Sequence, residues 1–160
     1  MRRILLDYIN QYFKNENKKI KYKIYFTSSR NGRNLKNVRQ LIVDRDWTEK
    51  DVSSYFYRSL ENIQIKEITS TEVFSIAEKS LFPKICKRIK LENFWADVDY
   101  HVVEYTLNKY YTGEFELITN FESSFIEIEA KLKTMISLDT GFEISNYNNC
   151  WMNRKEKNGL

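Results

Sequence analysis

The chain has 160 residues, of which 42% are hydrophobic and 15% aromatic, and this composition excludes a disordered protein. Its apolar runs are too short for a membrane-spanning helix. The net charge of +4 conceals a strong asymmetry, because residues 1–45 carry twelve basic and three acidic side chains, whereas residues 92–145 carry three basic and eleven acidic ones.

The first third of the chain predicts a helix followed by a β-hairpin. Apolar residues recur at helical spacing over residues 3–14. The period then changes to two, so Ile20–Phe26 reads as a strand with a row of lysines on a solvated face. Asn31-Gly32 is a favoured tight-turn pair, and Val38–Asp44 supplies the returning strand.

The middle of the chain carries helix-start signals and predicts a helical segment. Thr48 is a good N-cap, with Asp51 three residues later. After an extended piece over residues 63–68, the pair Thr69 and Glu72 repeats the capping box and predicts a helix that reaches Leu81. Pro83 suits the first turn of a further helix.

The last third is ambiguous between helix and strand. Residues 98–107 fit both periods, whereas Gly113 precedes a predicted strand over Glu114–Thr119, and Phe142–Ser145 reads as the last strand. We therefore expect an α+β fold with an N-terminal helix, a β-hairpin, a helical middle and a mixed C-terminal part on a mostly antiparallel sheet.

Length predicts a single domain over residues 1–160, with a polar tail at 146–160 that we expect to fray. Cys86 and Cys150 are isolated and predict reduced thiols, with a single disulfide as the alternative in a secreted protein. Asp7 interrupts the apolar stretch behind the N-terminal arginines, and no cleavage site follows, so the sequence does not resemble a signal peptide and we expect a cytoplasmic protein.

One acidic pattern suggests metal-dependent chemistry. Glu116 on the predicted strand, followed by Glu129-Ala130-Lys131, could hold a divalent metal, with the lysine stabilising charge on a phosphate. The stretches 113–118 and 128–131 resemble the restriction-endonuclease-like nuclease pattern, which implies such a metal site, although Glu116 stands where that pattern usually has Asp. Alternatively, residues 124–138 form a helix with a Ser124/Glu127 capping box and a buried face that includes Phe125, Ile128 and Leu132. The length of the segment favours the helix.

Other catalytic and cofactor sites are poorly supported. His101 is the only histidine, and the nearby Asp97, Asp99 and Glu104 could orient it as a general base. However, no nucleophile motif accompanies it, and a lone histidine is more often structural. The two cysteines offer no closely spaced pair for zinc, and the four scattered glycines form no phosphate-binding loop. We therefore predict no catalytic residue, no metal and no cofactor.

The basic hairpin is a candidate nucleic-acid site, because a two-stranded ribbon can enter a groove and contact phosphates. The predicted contact residues are Lys19, Lys21, Lys23, Arg30, Arg33 and Arg39. The alternative is that the lysines protect an exposed edge strand from aggregation.

The leading prediction is non-catalytic binding of a partner protein with a basic surface, because the acidic segment interleaves carboxylates with aromatic anchors. The predicted contact residues are Asp97, Asp99, Tyr100, Glu104, Tyr105 and Glu114. The alternative is that the aromatic residues belong to the core. Size and composition suggest a bacterial or phage conflict system, in which the protein would act as an immunity protein, antitoxin or anti-defence inhibitor.

Overall fold

The computed structural model describes residues 9–77, 95–107, 109–136 and 140–153. A 3-10 turn at Asn15–Asn17 precedes six strands and two α-helices. These are β1 (Lys18–Arg30), β2 (Arg33–Asp44), α1 (Glu49–Ser59), β3 (Ile63–Ser75), β4 (Trp95–Leu107), β5 (Tyr111–Asn120), α2 (Phe125–Met135) and β6 (Thr140–Asn153). Among the described residues, no helix has the length and apolarity that a membrane crossing requires.

The contacts divide the chain into two compact units. The described part of the first, which we call the hairpin unit, is residues 19–72, 95–96 and 150–153. The described part of the second, which we call the ladder unit, is residues 9–18, 73–77, 97–107, 109–136 and 140–149.

The hairpin unit is built on the antiparallel pair β1 and β2, which confirms the predicted hairpin. Asn31 and Gly32 both have positive φ, 52° and 73°, as a type I′ turn requires. This two-residue turn sets the register, so Arg30 lies directly opposite Arg33 and Ile24 opposite Arg39. Beyond the hairpin, β2 makes a short parallel contact with β6 at Leu41 and Ile42.

Helix α1 covers one face of this hairpin. Thr48 caps it, and Thr48 and Asp51 form the predicted capping box in both directions. The buried residues of α1 and the neighbouring tryptophans pack on the hairpin face; this core contains Tyr22, Ile24, Phe26, Leu41, Val43, Trp47, Val52, Tyr55, Phe56 and Trp95. Three of its aromatic side chains are hydrogen-bonded, since Tyr22 Oη donates to the carbonyl of Trp47 (3.0 Å) and Trp95 Nε1 donates to Tyr55 Oη (2.6 Å).

The ladder unit is built on the antiparallel pair β4 and β5, which are in register from Val98↔Asn120 to Leu107↔Tyr111. The end of β3 adds a parallel contact, with Phe74 opposite Leu117. Helix α2 buries Ile128 and Leu132 against this sheet. Phe13 stacks on Phe74 with ring centroids 4.2 Å apart, which ties the segment before the 3-10 turn to the same core.

The predicted fold class is wrong, because the described chain consists mainly of strands and contains only two short helices. The helix predicted from Thr69 to Leu81 is absent over its described part: Thr69 and Glu72 lie inside the long strand β3. A capping box contributes only about 1 kcal/mol, and here it lies in a run of β-branched residues whose end pairs with β5. Strand pairing therefore decides the local structure.

The remaining predicted segments have different outcomes. Residues 98–107, which the sequence leaves open between helix and strand, are a strand, and the helix favoured for 124–138 is confirmed as α2, whose Ser124/Glu127 capping box is formed. The predicted strand at Phe142–Ser145 is part of the longer β6, which also includes the first residues of the predicted tail. The helix at Pro83 lies outside the described residues. So does most of the predicted N-terminal helix, whose described part is helical at Ile9 and Asn10 and turns at Gln11.

Gly113 permits the close packing of Tyr105 across the ladder, and replacing it should destabilise the protein. A Cβ at Gly113 would lie 2.5 Å from Cζ and 2.9 Å from Cε1 of the Tyr105 ring, which is buried in the ladder core. We expect Gly113→Ala to lower the free energy of unfolding by about 1–3 kcal/mol in urea titrations, as overpacking does. Gly141→Ala in β6 is the control, because nothing lies within 4 Å of its Cβ position. Equal stability of the two variants would contradict this account.

Candidate functional site

The β4–β5 ladder distributes the predicted partner-binding residues over both of its faces. Tyr100, Glu104 and Glu114 share one face, and Glu104 lies directly opposite Glu114, with both side chains exposed. Asp99 and Tyr105 lie on the other face, where Tyr105 is part of the ladder core. The predicted set is therefore not one continuous surface.

Tyr100 is also largely buried, because its hydroxyl donates a short hydrogen bond to Glu116 Oε1. This bond joins neighbouring strands on the face that carries Glu104 and Glu114. Tyr100 and Glu116 thus stabilise the ladder, and the alternative interpretation of the aromatic residues as core applies to Tyr100 and Tyr105. Of the predicted set, Asp97, Glu104 and Glu114 remain exposed.

Asp99 has a structural role at the end of the ladder. Its side chain is only 8% exposed, and Oδ2 accepts a hydrogen bond from the backbone N–H of Glu122 (2.9 Å). Glu122 has φ 60°, a left-handed conformation that is costly for a residue with a side chain. The bond to Asp99 compensates for this cost, so the buried carboxylate fixes the turn between β5 and α2.

This turn carries three large apolar side chains in solvent. Phe121 is 47% exposed, Phe125 51% and Ile126 81%. Exposed carboxylates lie beside them along the chain, at Glu122 in the turn and Glu127 in the first turn of α2. Asp97 is also exposed. It directly precedes Val98 in β4, and Val98 pairs with Asn120, the residue directly before Phe121. We call the group Asp97, Phe121, Glu122, Phe125, Ile126 and Glu127 the acid-rimmed patch.

Sequence reasoning found only part of this patch. Asp97 was predicted as a contact, but Phe125 was assigned to the buried face of the helix, and Phe121 and Ile126 were not identified. A signal was present for Ile126, since it lies next to Phe125 and outside the face shared by Ile128 and Leu132. For Phe121 the signal was its place in a connecting segment ahead of the Ser124 N-cap.

His101 lies beneath this turn and is only 1% exposed. Its ring packs edge-on to Phe125, with centroids 6.4 Å apart, and its Nε2 lies 2.8 Å from Thr119 Oγ1. Because the Thr119 hydroxyl donates to the carbonyl of Asn120, we assign the proton to Nε2 and leave Nδ1 as a bare acceptor. Nδ1 is buried and has no hydrogen-bond partner among the described residues.

Burial lowers the pKa of His101, and the charge of Asp99 opposes this shift only in part. Protonating Nδ1 would place a positive charge in a position that is removed from water, and this desolvation is the physical cause of the shift. The side chain is therefore held neutral and away from solvent, and it offers no surface for general-base catalysis on a bulk substrate.

The residues of the nuclease pattern are divided between a strand and a helix. Glu116 belongs to β5, whereas Glu129 and Lys131 are on helix α2, where Glu129 pairs with Lys133 at 3.0 Å. The strand on which the E-x-K pattern depends is therefore not formed. No group of three or more histidine, cysteine, aspartate or glutamate side chains within the described ranges is arranged to hold a metal ion.

The lysine row of the hairpin is not the solvated face that the sequence predicts. Lys19 and Lys21 are each only 9% exposed, and Lys19 forms an ion pair with Asp44 across the hairpin. Lys23 is half-buried, with its ammonium 5.3 Å from the centroid of the Tyr25 ring. These lysines are therefore engaged within the fold.

The predicted arginines occupy a different face of the hairpin from the lysines. Arg30 and Arg33 lie opposite each other beside the turn, and Arg39 lies opposite Ile24. All three arginines are on the face of the hairpin that α1 covers farther from the turn. All three arginines are exposed. The predicted basic set thus separates into buried or half-buried lysines on one face and exposed arginines on the other.

The lowered pKa of His101 should make stability depend on pH. The unfolded chain protonates near the ordinary pKa of about 6.5, whereas the folded chain does so only at lower pH. Stability is therefore fully present above pH ~6.5 and is lost as the pH falls toward the folded pKa, by at most about 1.4 kcal/mol per pH unit. Urea titrations across this range should show that slope in the parent.

The matched variant is His101→Gln. Because this is the chain's only histidine, the substitution should abolish the slope just below pH 6.5, where carboxylates are still ionised. A parent whose stability is constant across this window would contradict the assignment of a buried neutral ring.

No protein-family model, curated protein or solved structure matches the chain in the three comparisons. The inference of function therefore depends on the chain's own residues, and the acid-rimmed patch is the feature best suited to it.

Proposed function

We propose that this protein is a non-catalytic binding module that uses the acid-rimmed patch to bind a partner protein with a basic surface. The observation that carries the proposal is the exposure of Phe121, Phe125 and Ile126 within six residues of chain, at a turn fixed by the buried Asp99 carboxylate. Contiguous exposed apolar groups with a polar rim are typical of protein–protein contacts.

The apolar and the acidic side chains of the patch would contribute to binding in different ways. Aromatic and branched aliphatic side chains supply the buried anchors, because their apolar area leaves water on association. The carboxylates of Asp97, Glu122 and Glu127 attract a basic partner and reject an acidic one. Glu104 and Glu114, exposed on the ladder, extend the same negative field.

The patch is also pre-organised, which lowers the entropic cost of binding. Ser124 and Glu127 cap α2 reciprocally, and the N–H of Ser123 donates to the carbonyl of Asn120 (3.2 Å). With the bond from Glu122 to Asp99, these contacts hold the turn in one conformation before a partner arrives.

This surface suits the class of partner suggested by the sequence. A nuclease toxin or another nucleic-acid-handling protein of a conflict system presents basic groups, because it must bind a polyanion. An acid-rimmed apolar surface would cover such groups and block them. The proposed role is therefore that of an immunity protein, antitoxin or anti-defence inhibitor.

The test compares capture of a partner from the native host by three forms of the protein. The patch variant is Phe121→Ser with Ile126→Ser, which leaves the Phe125 contact to His101 in place. The matched control is Tyr110→Ser with Tyr111→Ser, since both tyrosines are exposed in the same unit but lie at the other end of β5, Tyr110 in the β4–β5 connection and Tyr111 as the first residue of β5. We expect the parent and control to bind the same basic protein, and the patch variant to bind it at least about tenfold more weakly by titration calorimetry.

Two results would overturn the proposal. One is equal affinity of the patch variant and the parent for the captured protein. The other is a captured partner whose contact surface is acidic, since the rim of the patch would repel it.

A further inference from the structure

The two strands of the hairpin differ in what borders their outer edges. In β1, the N–H of Ser29 points away from β2 and donates to the carbonyl of Asn62, just before β3 (2.9 Å). On the other side of the hairpin, β2 pairs with β6 only at Leu41 and Ile42. Within the described ranges, no strand therefore pairs with the outer edge of β2 over residues 33–40, which we call the edge segment.

The register shows which backbone groups of the edge segment point outward. Asn34 lies opposite Ser29, whose N–H points away from β2, so the two form a non-hydrogen-bonded pair and the groups of Asn34 also point outward. The period of two places the groups of Lys36 and Val38 on the same edge. Because Nη1 of Arg39 donates to the Val38 carbonyl (3.0 Å), an added strand would use the three outward N–H groups and the carbonyls of Asn34 and Lys36.

The edge segment is exposed and carries positive charge on both of its faces. Arg33 shares one face with Arg30 across the hairpin, and Lys36 lies on the other face. No ion pair within the described part of the chain involves any of these three cations. Residues 27–40 also contain no acidic side chain. The charge of this part of β2 is therefore not neutralised locally.

We propose that the edge segment binds an extended acidic segment of a partner protein as an added β-strand. In this mode of recognition the main-chain hydrogen bonds supply affinity and the alternate side chains supply specificity. Arg33 and Lys36 would select carboxylates, because opposite charges on neighbouring strands stabilise a sheet. The exposed Leu35 and Val38, on opposite faces, offer an apolar contact on each side of the added strand. This surface belongs to the hairpin unit and does not depend on the acid-rimmed patch.

A second copy of this chain is a poor occupant of the edge. Two edge segments side by side would bring Arg33 and Lys36 of each copy together without a carboxylate, and like charges on neighbouring strands destabilise the pair. Charged side chains on an edge are a common protection against such self-pairing. A nucleic acid would match the cations, but its phosphates offer no donor to the outward carbonyls of Asn34 and Lys36.

The probe for the experiment is a labelled peptide of about ten residues in which glutamate alternates with valine. A second peptide with lysine in place of glutamate tests the role of charge. Binding of each peptide to the full chain is measured by fluorescence anisotropy at about 50 mM salt, where surface charges are weakly screened. We expect the lysine peptide to bind at least about tenfold more weakly than the glutamate peptide.

The test variant is Lys36→Pro, and its matched control is Lys36→Gln. Both substitutions remove the charge, but only proline removes the outward N–H. This N–H does not bond to β1, so the ladder of the hairpin keeps its own hydrogen bonds. We expect the proline variant to bind the glutamate peptide at least about fivefold more weakly than the glutamine variant, and thermal unfolding verifies the fold of both.

A further measurement leaves the protein unchanged. In an extended peptide, the N–H groups of the glutamates and of the valines point to opposite edges. Two peptides, one methylated at every glutamate nitrogen and one at every valine nitrogen, keep the charges and each lose the donors of one edge. We expect one of them to bind at least about tenfold more weakly than the unmethylated peptide, because its blocked edge is the one that meets β2.

Five outcomes would overturn the proposal. Three concern the peptides: no binding of the glutamate peptide at about 50 mM salt, equal affinity for the lysine peptide, and full affinity of both methylated peptides. The fourth is equal affinity of folded Lys36→Pro and Lys36→Gln variants. The fifth is displacement of the peptide by unlabelled single-stranded DNA as effectively as by unlabelled peptide, which would identify a general anion-binding surface. In sedimentation we expect no dimer, and a parent dimer that is lost in Lys36→Pro would instead assign the edge to a second copy.

Discussion

The hydrogen bond from the Glu122 N–H to the buried carboxylate of Asp99 determines what the ladder unit presents to solvent. A carboxylate with so little exposure needs a donor, and this donor lies in a backbone conformation that would otherwise be strained. The two requirements satisfy each other. As a result the chain leaves β5 through one defined turn, with Phe121 on one side of Glu122 and the start of α2 on the other.

The two charged regions of the sequence become smaller and more specific in the fold. Part of each is internal, as with Lys19 and Lys21 in the hairpin and Asp99 in the ladder. The side chains that remain in solvent include the arginines of the hairpin and the carboxylates of the acid-rimmed patch. The patch combines its carboxylates with exposed apolar groups, which is why it, rather than the acidic run as a whole, is the candidate for recognition.

Local signals predicted the elements whose ends are defined by side-chain chemistry. The Thr48/Asp51 and Ser124/Glu127 boxes and the Asn31-Gly32 turn all form as expected. The same type of signal failed at Thr69 because strand pairing with β5, a contact between residues far apart in sequence, outweighs a local cap. No window of sequence around Thr69 contains that information.

The faces of the strands were harder to predict than the strands themselves. Alternation shows that Lys19 and Lys21 share a face, but it does not show whether that face is covered. The face on which Arg39 lies can be predicted from the sequence, since a two-residue turn at Asn31-Gly32 pairs Arg30 with Arg33 and therefore Ile24 with Arg39. The burial of Tyr100 and Tyr105 cannot be predicted in this way. Carboxylates beside aromatic residues occur both at interfaces and, as in the Tyr100–Glu116 pair, within a sheet.

The central claim is that the acid-rimmed patch is held in place before any partner binds, and amide hydrogen exchange at Glu122 tests it most directly. If the N–H is bonded to buried Asp99, the amide of Glu122 should exchange far more slowly than the same residue in an unstructured peptide, and the amide of Glu127, which donates to Ser124 Oγ at 3.2 Å, should also be protected. Exchange of the Glu122 amide at the rate of the unstructured peptide would contradict the account, because the turn that positions Phe121, Phe125 and Ile126 would then not be formed.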